Sequence, residues 1–171
     1  MKRIVVIMLL VAGTLSSATY TDLSKRTEKK VLKVLEKVWP GEVAMWKPVP
    51  GFSTSDDMTN LYKIEVSGDS KGFMAIANAP SRFDRFDYLL VVDNELSVVA
   101  VEILEYREDY GGEIASTRWL KQFKGKTADD QFKLNDDVVG ISGATLSCRS
   151  ASTHFKKILL HLNEMNRNGK L

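Results

Sequence analysis

From Gly140 to Ser147 the chain runs GISGATLS, and from there to Leu162 its apolar residues recur at helical spacing. Gly140, Gly143 and Ala144 leave the backbone open to close approach, and Ser142, Thr145 and Ser147 supply three hydroxyls. Small, hydroxylated residues running into a helix suit three roles: a loop and cap, a nucleophile on a sharp turn, or a cradle for a phosphate. The choice among them decides the function.

The nucleophile role asks for a G-x-S-x-G elbow between a strand and a helix. Here its second glycine falls at Ala144, Gly143 stands one position early, and the residues before it read as loop. A periplasmic serine hydrolase using Ser142, with His154 or His161 as base, is therefore the weakest of the readings. Those are the only two histidines, and seven residues separate them on the final helix. A metal held through them would want a third ligand and a shorter spacing, and Lys157 between them repels a cation.

The phosphate role follows from the backbone. The first amides of a helix lack intrahelical partners and carry the positive end of the macrodipole, so a phosphate gains hydrogen bonds and charge compensation together. A Ser-capped helix after a loop uses the same residues without any ligand, and eight residues do not separate the two.

The elements that must position this stretch can be read from periodicity. Leu23, Val31, Leu32, Val34, Leu35 and Val38 predict an amphipathic helix over 22–38, stopped by WPG at 39–41. Residues 41–60, with Pro48, Pro50 and Gly51, read as loop. Four strand signals follow, LYKIEVSG, KGFMAIAN, FDYLLVVD and LSVVAVEILEY, and only Asp93–Glu95 separates the last two. So short a link demands antiparallel neighbours. The fold class expected is α+β, an antiparallel sheet of about four strands packed with helices in a single domain after a signal peptide. A short helix carrying Trp119, Leu120 and Phe123 is capped by Ser116 and stopped at Gly125, and the final helix is expected over 147–165.

The N-terminus reads as an export signal. Lys2 and Arg3 precede an apolar run from Ile4 to Leu15 and the small residues Ser16, Ser17 and Ala18. That run is short of the about 20 residues that cross a bilayer, so cleavage after Ala18 is expected rather than retention as an anchor. The expected organisation is a signal peptide over 1–18 and one domain over 19–171. The whole chain has 24 basic and 22 acidic residues, and Lys2 and Arg3 lie in the leader, so the mature chain balances at 22 against 22. Nothing in that balance asks for a nucleic acid. Cys148, the one cysteine, allows no internal disulfide and is expected to be a small buried residue.

SGATLS at Ser142 to Ser147 resembles the S/T-G-A-T signature of the bacterial FMN-binding domain family, found in the periplasmic flavin subunits of the sodium-pumping NADH:quinone reductase and of Rnf complexes. LEYREDYGGEI followed by RWLKQFKGK resembles that family's glutamate, glycine-containing turn and short aromatic helix, in the same order. The resemblance spans about residues 71–162. It implies FMN as cofactor, joined as a phosphothreonyl ester to Thr145 by a flavin transferase. It implies a cofactor site of Ser142, Gly143, Ala144, Thr145, Leu146 and Ser147, with Glu108, Tyr110, Gly111 and Gly112 as the opposite wall.

The function implied is that of an exported electron-transfer flavoprotein, a redox carrier or subunit rather than a stand-alone enzyme. It would work in the periplasm or at the outer face of the cytoplasmic membrane, between a membrane electron-transfer complex and another periplasmic redox partner. One position departs from the family. Its members usually carry Asp three residues before the tetrapeptide, and Val139 stands there, with Asp136 and Asp137 slightly upstream. A non-covalent flavin or phosphate-ligand binder is the alternative this departure favours.

Overall fold

The computed structural model describes residues 23–42, 44–52 and 59–171. The expected signal peptide lies outside the described residues. Helix α1 (Lys25–Val38) begins behind Ser24, whose hydroxyl accepts from the Thr27 amide and so replaces one missing first-turn partner. Strands β1 (Ala44–Pro48), β2 (Asn60–Val66), β3 (Asp69–Pro80), β4 (Arg85–Val92) and β5 (Val98–Glu105) follow, then α2 (Thr117–Leu120) and α3 (Thr145–Arg167).

The sheet is a five-stranded antiparallel meander in chain order. This is the α+β class expected, with one strand more than the pattern predicted. The extra strand is β1, inside the stretch read as loop. Its AMWKP has neither alternation nor a β-branched run, and only one edge of it is paired. Hydrogen bonding to β2, from Ala44 opposite Val66 to Pro48 opposite Tyr62, makes it a strand where local propensity does not.

Alternation along β3 gives the sheet two buried faces. Met74 and Ile76 point to α1, where they join Val31, Val34, Leu35, Ile64, Leu89 and Val91. Phe73, Ala75, Ala77 and Ala79 point the other way, into the core of Tyr88, Phe123, Phe155, Ile158 and Leu159. Three alanines in a row on that face let the long α3 lie close to the sheet, with its larger side chains filling the space between.

Aromatic rings tie the α3 layer together. Phe155 meets Tyr88 of β4 at 5.0 Å between ring centroids and Phe123 at 4.9 Å, both edge-on, and Phe123 meets Trp119 of α2 edge-on at 5.0 Å. A path of contacts therefore runs from the sheet through α3 to α2. No helix among the described residues is long and apolar enough to cross a membrane.

Candidate functional site

Helix α3 starts at Thr145, two residues earlier than expected. The chain enters it through a turn in which the Ala144 amide donates to the Ile141 carbonyl at 3.1 Å, with Gly143 at φ +83° in its third position. That value needs a residue without Cβ strain, which accounts for the glycine. Ala144 is the N-cap residue, and no side chain caps the helix. The first helical hydrogen bond runs from Cys148 to the Ala144 carbonyl at 2.9 Å, so the amides of Thr145, Leu146 and Ser147 are those a first turn leaves without a helical acceptor. The 23-residue helix entered through Gly143 and Ala144 has no side-chain cap, so its first amides are free to meet an acceptor from elsewhere.

The side chains of the SGATLS stretch divide. Ser142, Gly143, Thr145 and Leu146 are exposed; Ala144 and Ser147 are buried. The Ser147 hydroxyl lies 3.0 Å from that of Tyr106 and is directed into the fold. The amide of Ser147, not its hydroxyl, is therefore the group available to a ligand. Cys148 is fully buried, as expected, and burial raises its thiol pKa, which leaves it unreactive.

The glycine loop after β5 meets the start of α3 through Gly111. Gly111 sits at φ +83°, and a Cβ there would lie 2.9 Å from both Ala144 Cβ and the Tyr106 hydroxyl. The loop after β5 thus presses its backbone onto the start of α3 where only glycine fits. Gly112 opens a 3-10 turn over Gly112–Ala115 with free space around it. Gly111→Ala is expected to cost about 1–3 kcal/mol through overpacking and left-handed strain. The chain should still fold, at a lower midpoint in thermal melts followed by circular dichroism, and retain less flavin.

Tyr110 is 82% exposed, so it is not a core residue, and its ring is open to a ligand. Glu108 turns elsewhere. Its carboxylate accepts from the Phe83 amide at 2.7 Å and the Asp84 amide at 3.4 Å, and it closes the β3–β4 turn rather than facing Thr145. Hydrogen bonds from the Ser81 hydroxyl and the Phe83 amide hold its pKa below the ordinary carboxylate value. A depressed carboxylate stabilises the folded turn above the usual value of about 4.3 and loses that contribution as pH falls through its own, lower pKa. Carboxyl NMR of Glu108 should show a midpoint below that of a free glutamate, with the Phe83 and Asp84 amide signals moving in the same acid step.

Val139 is clamped by its backbone. Its carbonyl accepts from Trp119 Nε1 at 2.8 Å, and its amide donates to Gln122 Oε1 at 2.7 Å, while its side chain is exposed beside the turn. Trp119 itself is buried, packs edge-on against Phe123 and holds Val139 through its indole N–H. Asp137 is committed elsewhere, accepting from Lys126 Nζ at 2.6 Å and the Lys133 amide at 2.6 Å. Asp136 pairs with Lys133 at 3.2 Å. Both aspartates flanking this turn are therefore paired with lysines.

A hydrolytic site does not assemble here. His154 is buried nine residues into α3, about 13 Å along the axis from its start, and His161 lies farther down, against the Phe52 ring at 4.8 Å. Neither reaches Ser142. Four contributors went unread in the sequence: Tyr106, which anchors Ser147; the Trp119 and Gln122 pair on Val139; and Phe83, exposed in the turn that Glu108 closes. Tyr106 stands inside the EYREDYGG segment and Trp119 and Gln122 inside RWLKQFKGK, so three of the four lay in quoted motifs whose contacts the sequence did not give.

The residues present fit a flavin held by its phosphate: an uncapped helix start, an exposed threonine hydroxyl in its first turn and an open aromatic across a glycine contact. Residues 84–159 match the family model of the FMN-binding domain, which indicates FMN as the cofactor. The match begins in the β3–β4 turn and ends inside α3, so it contains β4, β5, the glycine loop, α2 and SGATLS. No curated protein matches the chain.

Proposed function

We propose, from the FMN-binding domain at residues 84–159, that this is an exported electron-transfer flavoprotein whose FMN is joined through its phosphate to Thr145. The observation that carries this reading is the start of α3. Thr145 is exposed in the first turn of a helix with no side-chain cap, behind a turn that Gly143 makes possible. The unpartnered amides and the helix dipole offset the charge that a phosphodiester keeps at Thr145 Oγ1.

Bound FMN accepts and passes on one or two electrons, and the protein supplies position and electrostatics. Gly111 brings the loop of Tyr110 against the helix start, and Tyr106 with Ser147 fixes the distance between them. A flavin transferase carries out the attachment: Thr145 Oγ1 bonds to phosphorus and loses its proton, and the other half of an activated flavin nucleotide departs. Exchange then takes place outside the cytoplasm, between a membrane electron-transfer complex and a second carrier. A tether suits that location, since FMN lost there is not replenished from the cytoplasmic pool.

Val139 favours a second reading, non-covalent binding in the same cradle, because the aspartate usual at that position is missing and neither Asp136 nor Asp137 takes its place. Expression of the whole chain with a flavin transferase separates the two. Covalent attachment gives a band that fluoresces on a denaturing gel and an intact mass increased by one FMN. Yellow protein that loses its colour on denaturation supports the second reading, and colourless protein from a competent host overturns both.

A further inference from the structure

Six large apolar side chains are exposed among the described residues: Met45, Phe83, Tyr110, Val139, Leu146 and Leu160. Three of them, Tyr110, Val139 and Leu146, stand on the loops and first turn at the start of α3, and Phe83 stands in the β3–β4 turn that Glu108 ties to the Tyr110 loop. Scattered exposed hydrophobes need no explanation, but a group gathered at one place marks a binding surface. Phe83 and Tyr110 are the most exposed of the six, each at 82%.

These two aromatics are 27 positions apart, and the structure joins them through Glu108. Its carboxylate grips the Phe83 and Asp84 amides from the loop that also carries Tyr110. That loop in turn rests on Ala144 through Gly111. The β3–β4 turn, the Tyr110 loop and the SGAT turn are thus one connected unit. Arg82 places its guanidinium 4.9 Å from the Phe83 ring centroid, so a cation stands over this ring.

We infer that Phe83, which lies just outside the matched segment, forms with Tyr110 the aromatic wall that receives the isoalloxazine ring, and that Glu108 is the positioning residue holding the two together. This rests on the reading of Thr145 as the flavin anchor. A planar apolar ring tethered at its phosphate needs open aromatic or aliphatic faces within the reach of its tether, and this end of the molecule supplies them.

The test replaces Phe83 by Trp in the whole chain matured with a flavin transferase. An indole stacked on a flavin quenches its fluorescence by passing an electron to the excited ring. At equal flavin loading by absorbance, Phe83→Trp should lose most of the wild-type emission, while Phe83→Leu keeps it. Tyr110→Phe, which removes a weaker quencher, should raise it. Adding Glu108→Ala to Phe83→Trp should restore emission, and Glu108→Gln, which keeps an acceptor for the Phe83 amide, should restore less. Phe83 is exposed, so these substitutions leave the core alone. Emission of Phe83→Trp equal to that of the wild type overturns the inference and leaves the flavin reading standing. A wild-type chain that retains no flavin overturns both.

Discussion

Thr145→Val, matured alongside the wild type, should carry no covalent flavin: its gel band is dark under ultraviolet light and its mass is that of the bare polypeptide. The substitution keeps the shape of the side chain and removes the one oxygen that can bond to phosphorus. Thr145 is exposed, so its loss should change stability by no more than about 0.5 kcal/mol, and the effect falls on attachment alone. Ser142→Ala provides the contrast, since Ser142 is exposed in the same turn but precedes the helix. It should keep its covalent flavin. A fluorescent band in Thr145→Val that disappears in Ser142→Ala would move the anchor to Ser142. If the wild type binds flavin only reversibly, Thr145→Val still weakens retention, because the hydroxyl beside the first amides is gone.

Phe155→Ala should be the most destabilising single substitution near the site, at about 3–5 kcal/mol. Its ring is fully buried and stands between Tyr88 and Phe123, edge-on to both. Removing it opens a cavity where the sheet, α3 and the segment after α2 meet, and a helix and a sheet cannot both collapse into it. Set against a total stability of about 5–15 kcal/mol, the loss is large enough to lower the melting midpoint by roughly 10 °C. Because Phe123 also contacts Trp119, and Trp119 holds the Val139 carbonyl, slackening should reach the turn before Ser142. Hydrogen exchange at Val139 through Ala144 should then rise more than at β2, two strands from the Tyr88 strand. Equal rises at both would show that Phe155 supports the fold as a whole and not this path.

Much of this was legible in the residue order because its causes are local. The β4–β5 pairing followed from a link too short for anything but an antiparallel turn, and the structure has them as neighbours. The final helix followed from apolar spacing. Strand β1 was not legible, because its partner and not its own sequence makes it extended. The partners of Glu108 were not legible: a lone glutamate in a glycine segment says nothing about the turn 25 positions upstream that it closes. The lysine partners of Asp136 and Asp137 were not legible either, since Lys126 stands 11 positions from Asp137.

By itself, then, the sequence determined the class of fold, the turn of small residues that leads into the last helix, and the threonine that opens it. Each of these rests on bonds and spacings within a few residues, where chain connectivity leaves little choice. Only the tertiary structure decided what stands across from that threonine. It set Gly111 against Ala144, directed the Ser147 hydroxyl to Tyr106, committed the nearby aspartates to lysines and brought the Phe83 turn to the Tyr110 loop. Those are contacts between positions far apart in the chain, selected by packing and by the need to satisfy buried polar groups, and no local pattern of residues encodes them.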